Sequence, residues 1–127
     1  LPHLAKGYER HMGTVVPDGH CVALVRECGG LPHTSEWRCG ELVKGSYLAS
    51  GTCIATFDPN GLYGNHTDGR SHAAILLSEN TDGLLVCDQW KGQVCHKRLI
   101  SFRNGTGDAV NDGNKFYAIE LVSDVGV

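Results

Sequence analysis

A chain of 127 residues, 41% hydrophobic and 20% charged, holds enough apolar material for one compact core and too little for two, so a single domain over residues 1–127 is expected. The net charge of −3 offers no basic stripe to a phosphate backbone, and the longest apolar runs, such as AAILL, are too short to cross a bilayer, which excludes nucleic-acid binding and membrane insertion. Leu1 in place of Met, six cysteines and two sequons (Asn65-His66-Thr67 and Asn104-Gly105-Thr106) are together what a secreted, extracellular chain is expected to show.

In chain order, residues 1–18 are polar and aperiodic and read as an N-terminal arm. Cys21, Leu24, Val25 and Cys28 then recur at i, i+3, i+4, i+7, one face of a helix, with Asp18 as its cap and Gly29-Gly30 as its stop. A weaker helical stretch after Thr34-Ser35 uses Trp37, Leu42 and Val43 and ends at Gly45. From Gly51 the texture changes to about five β-rich runs, GTCIATF, HAAILL, LLVCDQW, VCHKRLISF and KFYAIELV, separated by the turn sequences of hairpins. Short helices followed by a strand meander predict an α+β fold, with the helices on one face of an antiparallel sheet.

The chemistry centres on Cys21. A thiol at a helix N-terminus sits at the positive end of the helix dipole, which favours thiolate. A half-cystine or a small core residue is the other use of that position. In GRSHAAILL, His72 opens an apolar strand, where an imidazole can face a nucleophile on a packed helix. His3, His11, His33, His66 and His96 have no comparable context. Antiparallel pairing of the next strand brings Asp88 or Gln89 opposite His72 as the third group that orients the ring; Asp88 is preferred because a charge does this better. No C-x-x-C or H-x-x-x-H spacing is present, so neither a metal nor a cofactor is expected.

GHCVALV, GTCIATF, SHAAILL, DQWKGQ and VNDGNKFY, in this order, resemble the second family of type VI secretion amidase effectors and their domesticated relatives in ticks and mites. The resemblance runs from Gly13 to Leu121. It implies a papain-like, NlpC-type or CHAP-like core, a catalytic Cys21 and His72, and hydrolysis of amide bonds in the stems and cross-links of bacterial peptidoglycan. For this family the implied bond joins D-alanine to the diamino acid of the neighbouring stem. The backbone N–H of Cys21 is then expected to meet the oxyanion. Trp37, Tyr63 and Trp90, with Gln89, are expected to line the substrate groove, and a monomer is expected. Asp68 and Arg70 read as solvated. One departure is His20, where the bacterial members carry glutamine; the extra cysteines and sequons favour the domesticated branch.

With Cys21 free, five cysteines remain and one of them must also be unpaired. Cys28 and Cys39 are the best-placed pair, and two of Cys53, Cys87 and Cys95 make a second bridge. Two other functions use the same residues: a catalytically inactive wall-binding immune module, and an acyltransferase or deamidase working through the same dyad.

Overall fold

The computed structural model describes residues 2–124. The expected helix forms as α1, Cys21–Gly29, with Leu24, Val25 and Cys28 buried beneath it. It stops where Gly30 turns left-handed (φ 62°), a conformation that side chains resist, and the Gly30 N–H closes on the Arg26 carbonyl. Asp18 does not cap it. The cap position is His20, whose side chain makes no capping bond, and the Asp18 carboxylate instead accepts the His20 N–H at 3.2 Å, the two-residue reach of an Asx turn.

Among the described residues six strands follow: β1 (Trp37–Leu42), β2 (Cys53–Thr56), β3 (Ala73–Glu79), β4 (Gly83–Trp90), β5 (Gln93–Ser101) and β6 (Phe116–Leu121). They form one sheet in the order β1-β6-β2-β3-β4-β5, and every neighbouring pair is antiparallel. The five expected runs are β2 to β6. The sixth strand, β1, replaces the second helix: only Thr34–Glu36 turns, as a 3-10 segment, and the chain then pairs Trp37 with Leu121 and Cys39 with Ile119. Sheet pairing overrides the weak helical pattern because β6 otherwise ends the sheet with an open row of backbone groups. Gly40 permits the close approach, since a Cβ there would lie 2.6 Å from the Ala118 carbonyl.

The central strands are buried on both faces, while the edge strands β1 and β5 are largely half-buried or exposed. Ala73 and Ile75 of β3 pack with Leu24, Val25 and Cys28 under α1, while Ala74 and Leu76 pack on the far side with Ile54, Val86, Ile100 and Phe116. Two covered faces explain why this strand is a continuous apolar run rather than an alternating one.

The N-terminal segment is part of the body rather than an arm leading into it. Ala5 donates to the Gly51 carbonyl at 2.7 Å, Gly13 and Thr14 exchange hydrogen bonds with Cys95 at 2.8 Å each, and Ala5 and Val16 are buried.

No disulfide joins the cysteines. The expected Cys28–Cys39 pair is not formed. Cys28 lies in the core under α1, whereas Cys39 sits on β1 beside Gly61 and Leu62, because β1 is a strand at the sheet's edge and not a helix packed against α1. Of the candidates for a second pair, Cys87 and Cys95 are the two brought together, their sulfurs 3.3 Å apart and both against the Met12 thioether. Among the described residues no helix is long and apolar enough to cross a membrane.

Candidate active site

Cys21 is the first residue of α1, half-buried, and α1 packs on β3 and β4. His72 immediately precedes β3. Its backbone is fixed by Thr56 at the end of β2: the His72 N–H donates to Thr56 Oγ1 at 3.0 Å, and the Thr56 N–H donates to the His72 carbonyl at 3.0 Å. The ring, only 5% exposed, hydrogen-bonds the Asp88 carboxylate through Nε2 at 2.7 Å. That leaves Nδ1 free of the carboxylate, and the ring and the Cys21 thiol, which line the same cavity, are electrostatically coupled.

Strand alternation separates the two candidates for the third group. Asp88 and Gln89 are consecutive in β4, so their side chains leave opposite faces. Asp88 turns to His72. Gln89 is fully buried and turns to the chain that enters α1: its Oε1 accepts the Val16 N–H, and its Nε2 donates to the carbonyls of Val16 and His20, all at 2.9 Å. It is therefore neither the ring's partner nor a groove residue, but the anchor of the helix start. Gln89→Ala strands those groups and is expected to lower stability by about 2 to 4 kcal/mol. A chemical-denaturation midpoint left unmoved would refute this anchoring role.

Asp88 has no exposed surface and is surrounded by basic side chains. Arg98 Nε donates to Oδ2 at 2.8 Å, and His96 Nε2 stands 3.1 Å from Oδ1, an ion-pair distance at an angle that makes no hydrogen bond. Trp90 covers this group: its ring meets His72 and His96 edge-on, with centroids 6.2 and 5.1 Å apart, and the Arg98 guanidinium lies 5.1 Å from its centroid. His96 thus has a context that the sequence reading denied it, and Arg98 was missed. Their signal is the alternation of His96, Arg98 and Ile100 along β5, which puts all three on one face.

The electrostatics single out one thiol. Burial pushes Cys21 up, but the hydrogen bond and charge of His72, with the Ala73 N–H and the Tyr63 hydroxyl, outweigh it and hold the thiol below its ordinary range. Burial likewise depresses His72, but Asp88 and Cys21 overcome it and raise the imidazole to about 9. The remaining thiols move the other way: burial raises Cys28, Cys39, Cys87 and Cys95, and pushes Cys53 up to about 12. At neutral pH iodoacetamide is therefore expected to alkylate Cys21 at least about tenfold faster than any other cysteine. Peptide mapping of partly labelled native protein checks this, and preferential labelling elsewhere would contradict it.

A cavity of about 510 Å³ opens over Cys21 and His72, walled by Tyr63 and Trp90 and by the loop from Asn65 to Ser71. The Tyr63 hydroxyl is 3.9 Å from Cys21 Sγ. Trp90 is 40% exposed and forms part of the wall. Trp37 is not in the groove: it is fully buried, donates its indole N–H to the Pro32 carbonyl and packs behind Tyr63 with ring centroids 5.2 Å apart. Asp68 and Arg70 form an exposed ion pair at 2.9 Å, and within the same loop His66 is held by Asp58 at 2.8 Å. Among the described residues no cluster of His, Cys, Asp and Glu side chains is placed to hold a metal ion.

A thiol at a helix start, an imidazole at a strand start on the packed sheet, and a carboxylate behind the imidazole are the features of a papain-like α+β protein. The family profile described as domesticated amidase effector 2 matches residues 4–119, and the chain belongs to that family. It is 40% identical over 107 residues to domesticated amidase effector 2 of Ixodes scapularis, a match covering 80% of this chain and 70% of that protein. It is also 40% identical over 80 residues to a type VI secretion amidase effector 2 protein of Salmonella typhi, covering 62% of this chain and 59% of the relative. The solved structure of type 6 secretion amidase effector 2 superposes with a TM-score of 0.79 at 29% identity, over 95% of this chain and 96% of that one.

Proposed function

We propose that this protein is a secreted cysteine amidase that hydrolyses bacterial peptidoglycan at its peptide stems or cross-links, with the bond between D-alanine and the diamino acid of the neighbouring stem as the target. The observation that carries the reading is the line Cys21, His72, Asp88, the first two lining an open cavity and the third buried behind the imidazole, in a member of an amidase effector family.

In this mechanism the Cys21 thiolate attacks the scissile carbonyl while imidazolium His72 waits beside it. The backbone N–H of Cys21, at a helix start without a side-chain cap, faces the developing oxyanion. The C–N bond breaks as His72 gives its proton to the leaving amine. Water, deprotonated by the now neutral imidazole, then cleaves the thioester and releases the carboxylic acid. Asp88 keeps Nε2 occupied throughout, so the ring presents Nδ1 to the reacting atoms.

The experiment is digestion of purified sacculi with mass analysis of the soluble fragments. Conversion of cross-linked dimers to monomers with uptake of one water per bond supports the reading. Unchanged sacculi that retain bound protein would favour a wall-binding module, and transfer of the acyl group to an added amine would favour an acyltransferase.

A further inference from the structure

A second cavity, of about 730 Å³, runs along the outer face of α1, lined by Ala23, Arg26 and Glu27 and by the Leu31–Thr34 segment. It shares His20, Val22, Asn65 and Thr67 with the cavity over Cys21, so the two adjoin along those residues. Cys21 and His72 line only the latter cavity.

We propose that the cavity along α1 seats the acyl-donor stem of a cross-linked substrate, with Arg26 as the residue that recognises a stem carboxylate; this rests on the amidase reading above. The assignment of sides follows from where the proton must go. His72 protonates the leaving nitrogen, so the amine-bearing stem lies on the His72 and Trp90 side. The acyl carbon bonded to Cys21 Sγ then carries its own stem away from the imidazole, past the shared residues and into the cavity along α1. There the stem meets the exposed Arg26, whose Nε donates to the Leu31 carbonyl at 3.3 Å and which has no carboxylate partner among the described residues, leaving the outer nitrogens of the fork for a ligand. The covalent steps are those already given and need no further reactant.

Two substrates test this: a cross-linked stem dimer, and the same dimer with its acyl-donor stem cut back to N-acetyl-D-alanine. Arg26→Gln is expected to lower kcat/KM on the full dimer about tenfold more than on the shortened substrate, the loss of one charge-assisted contact. Glu27→Trp, which fills the cavity from an exposed helix position, is expected to give the same selective loss, and the rate of iodoacetamide labelling at Cys21 reports that the site is intact in both variants. Equal effects of Arg26→Gln on the two substrates would overturn the proposal, as would wild-type protein that cleaves both substrates equally well; the amidase reading survives either result. Wild-type protein that cleaves neither removes both.

Discussion

Cys21→Ala is expected to abolish muropeptide release, by at least about 10⁴-fold, while moving the thermal midpoint by only a few degrees. The asymmetry follows from the residue's position. Cys21 is half-buried at the first turn of α1, whose packing is carried by Leu24, Val25 and Cys28, so removing one sulfur costs about 1 kcal/mol or less in the fold and the whole nucleophile in the reaction. Paired lysis assays and melting curves check it. Lysis that survives the substitution removes Cys21 from the chemistry, and a collapse of the melting curve would mean that the thiol's main task is packing.

Asp88→Asn is expected to lower turnover by about 10²-fold or more and to narrow the pH profile from its alkaline side. The reactive pair is thiolate and imidazolium, so activity appears as pH rises through the lowered titration of Cys21 and fades as pH rises through that of His72, at about 9. Burial opposes the charged ring, and Asp88 is the largest influence holding it up; the amide removes that support, so the alkaline limb moves to lower pH while the acid limb, set by Cys21, moves less. The same change leaves the Arg98 guanidinium facing a neutral amide and is expected to cost about 2 kcal/mol of stability. Rate profiles on one defined cross-linked muropeptide, for wild type and variant, decide the matter. An alkaline limb that stays in place would show that Asp88 is not what sets the imidazole.

The sequence makes the Cys21 helix and its face legible because 3.6-residue periodicity and a glycine stop are local properties. His72 is legible because a single polar residue at the head of HAAILL has few other uses. The choice between Asp88 and Gln89 stays open at that level, since it depends on register. The bulge between Leu76 and Ser78 changes the pairing that a hairpin closed near Asn80 would give, and only the three-dimensional pairing of Ile75 with Cys87 fixes which neighbour faces the ring. The same cause hides His96. Counting back from the Trp90–Gln93 pair without interruption sets Asp88 against Cys95, whereas the bulge between Asp88 and Trp90 sets it against His96. β1 is illegible for another reason: Trp37, Leu42 and Val43 fit a helix wedge as well as a strand, and what selects the strand is β6, some eighty residues away in sequence.

Asp88 and Gln89 stand side by side on β4, one fastening the imidazole and the other the start of the helix that bears the thiol. Both halves of the reactive pair are thus measured from a common datum. A shift of β4 would pull the ring through the carboxylate and the helix start through the amide in the same direction, so part of the displacement would cancel in the sulfur-to-nitrogen separation. A dyad surveyed from two independent loops would add their errors; one hung from neighbouring residues of a single strand shares them.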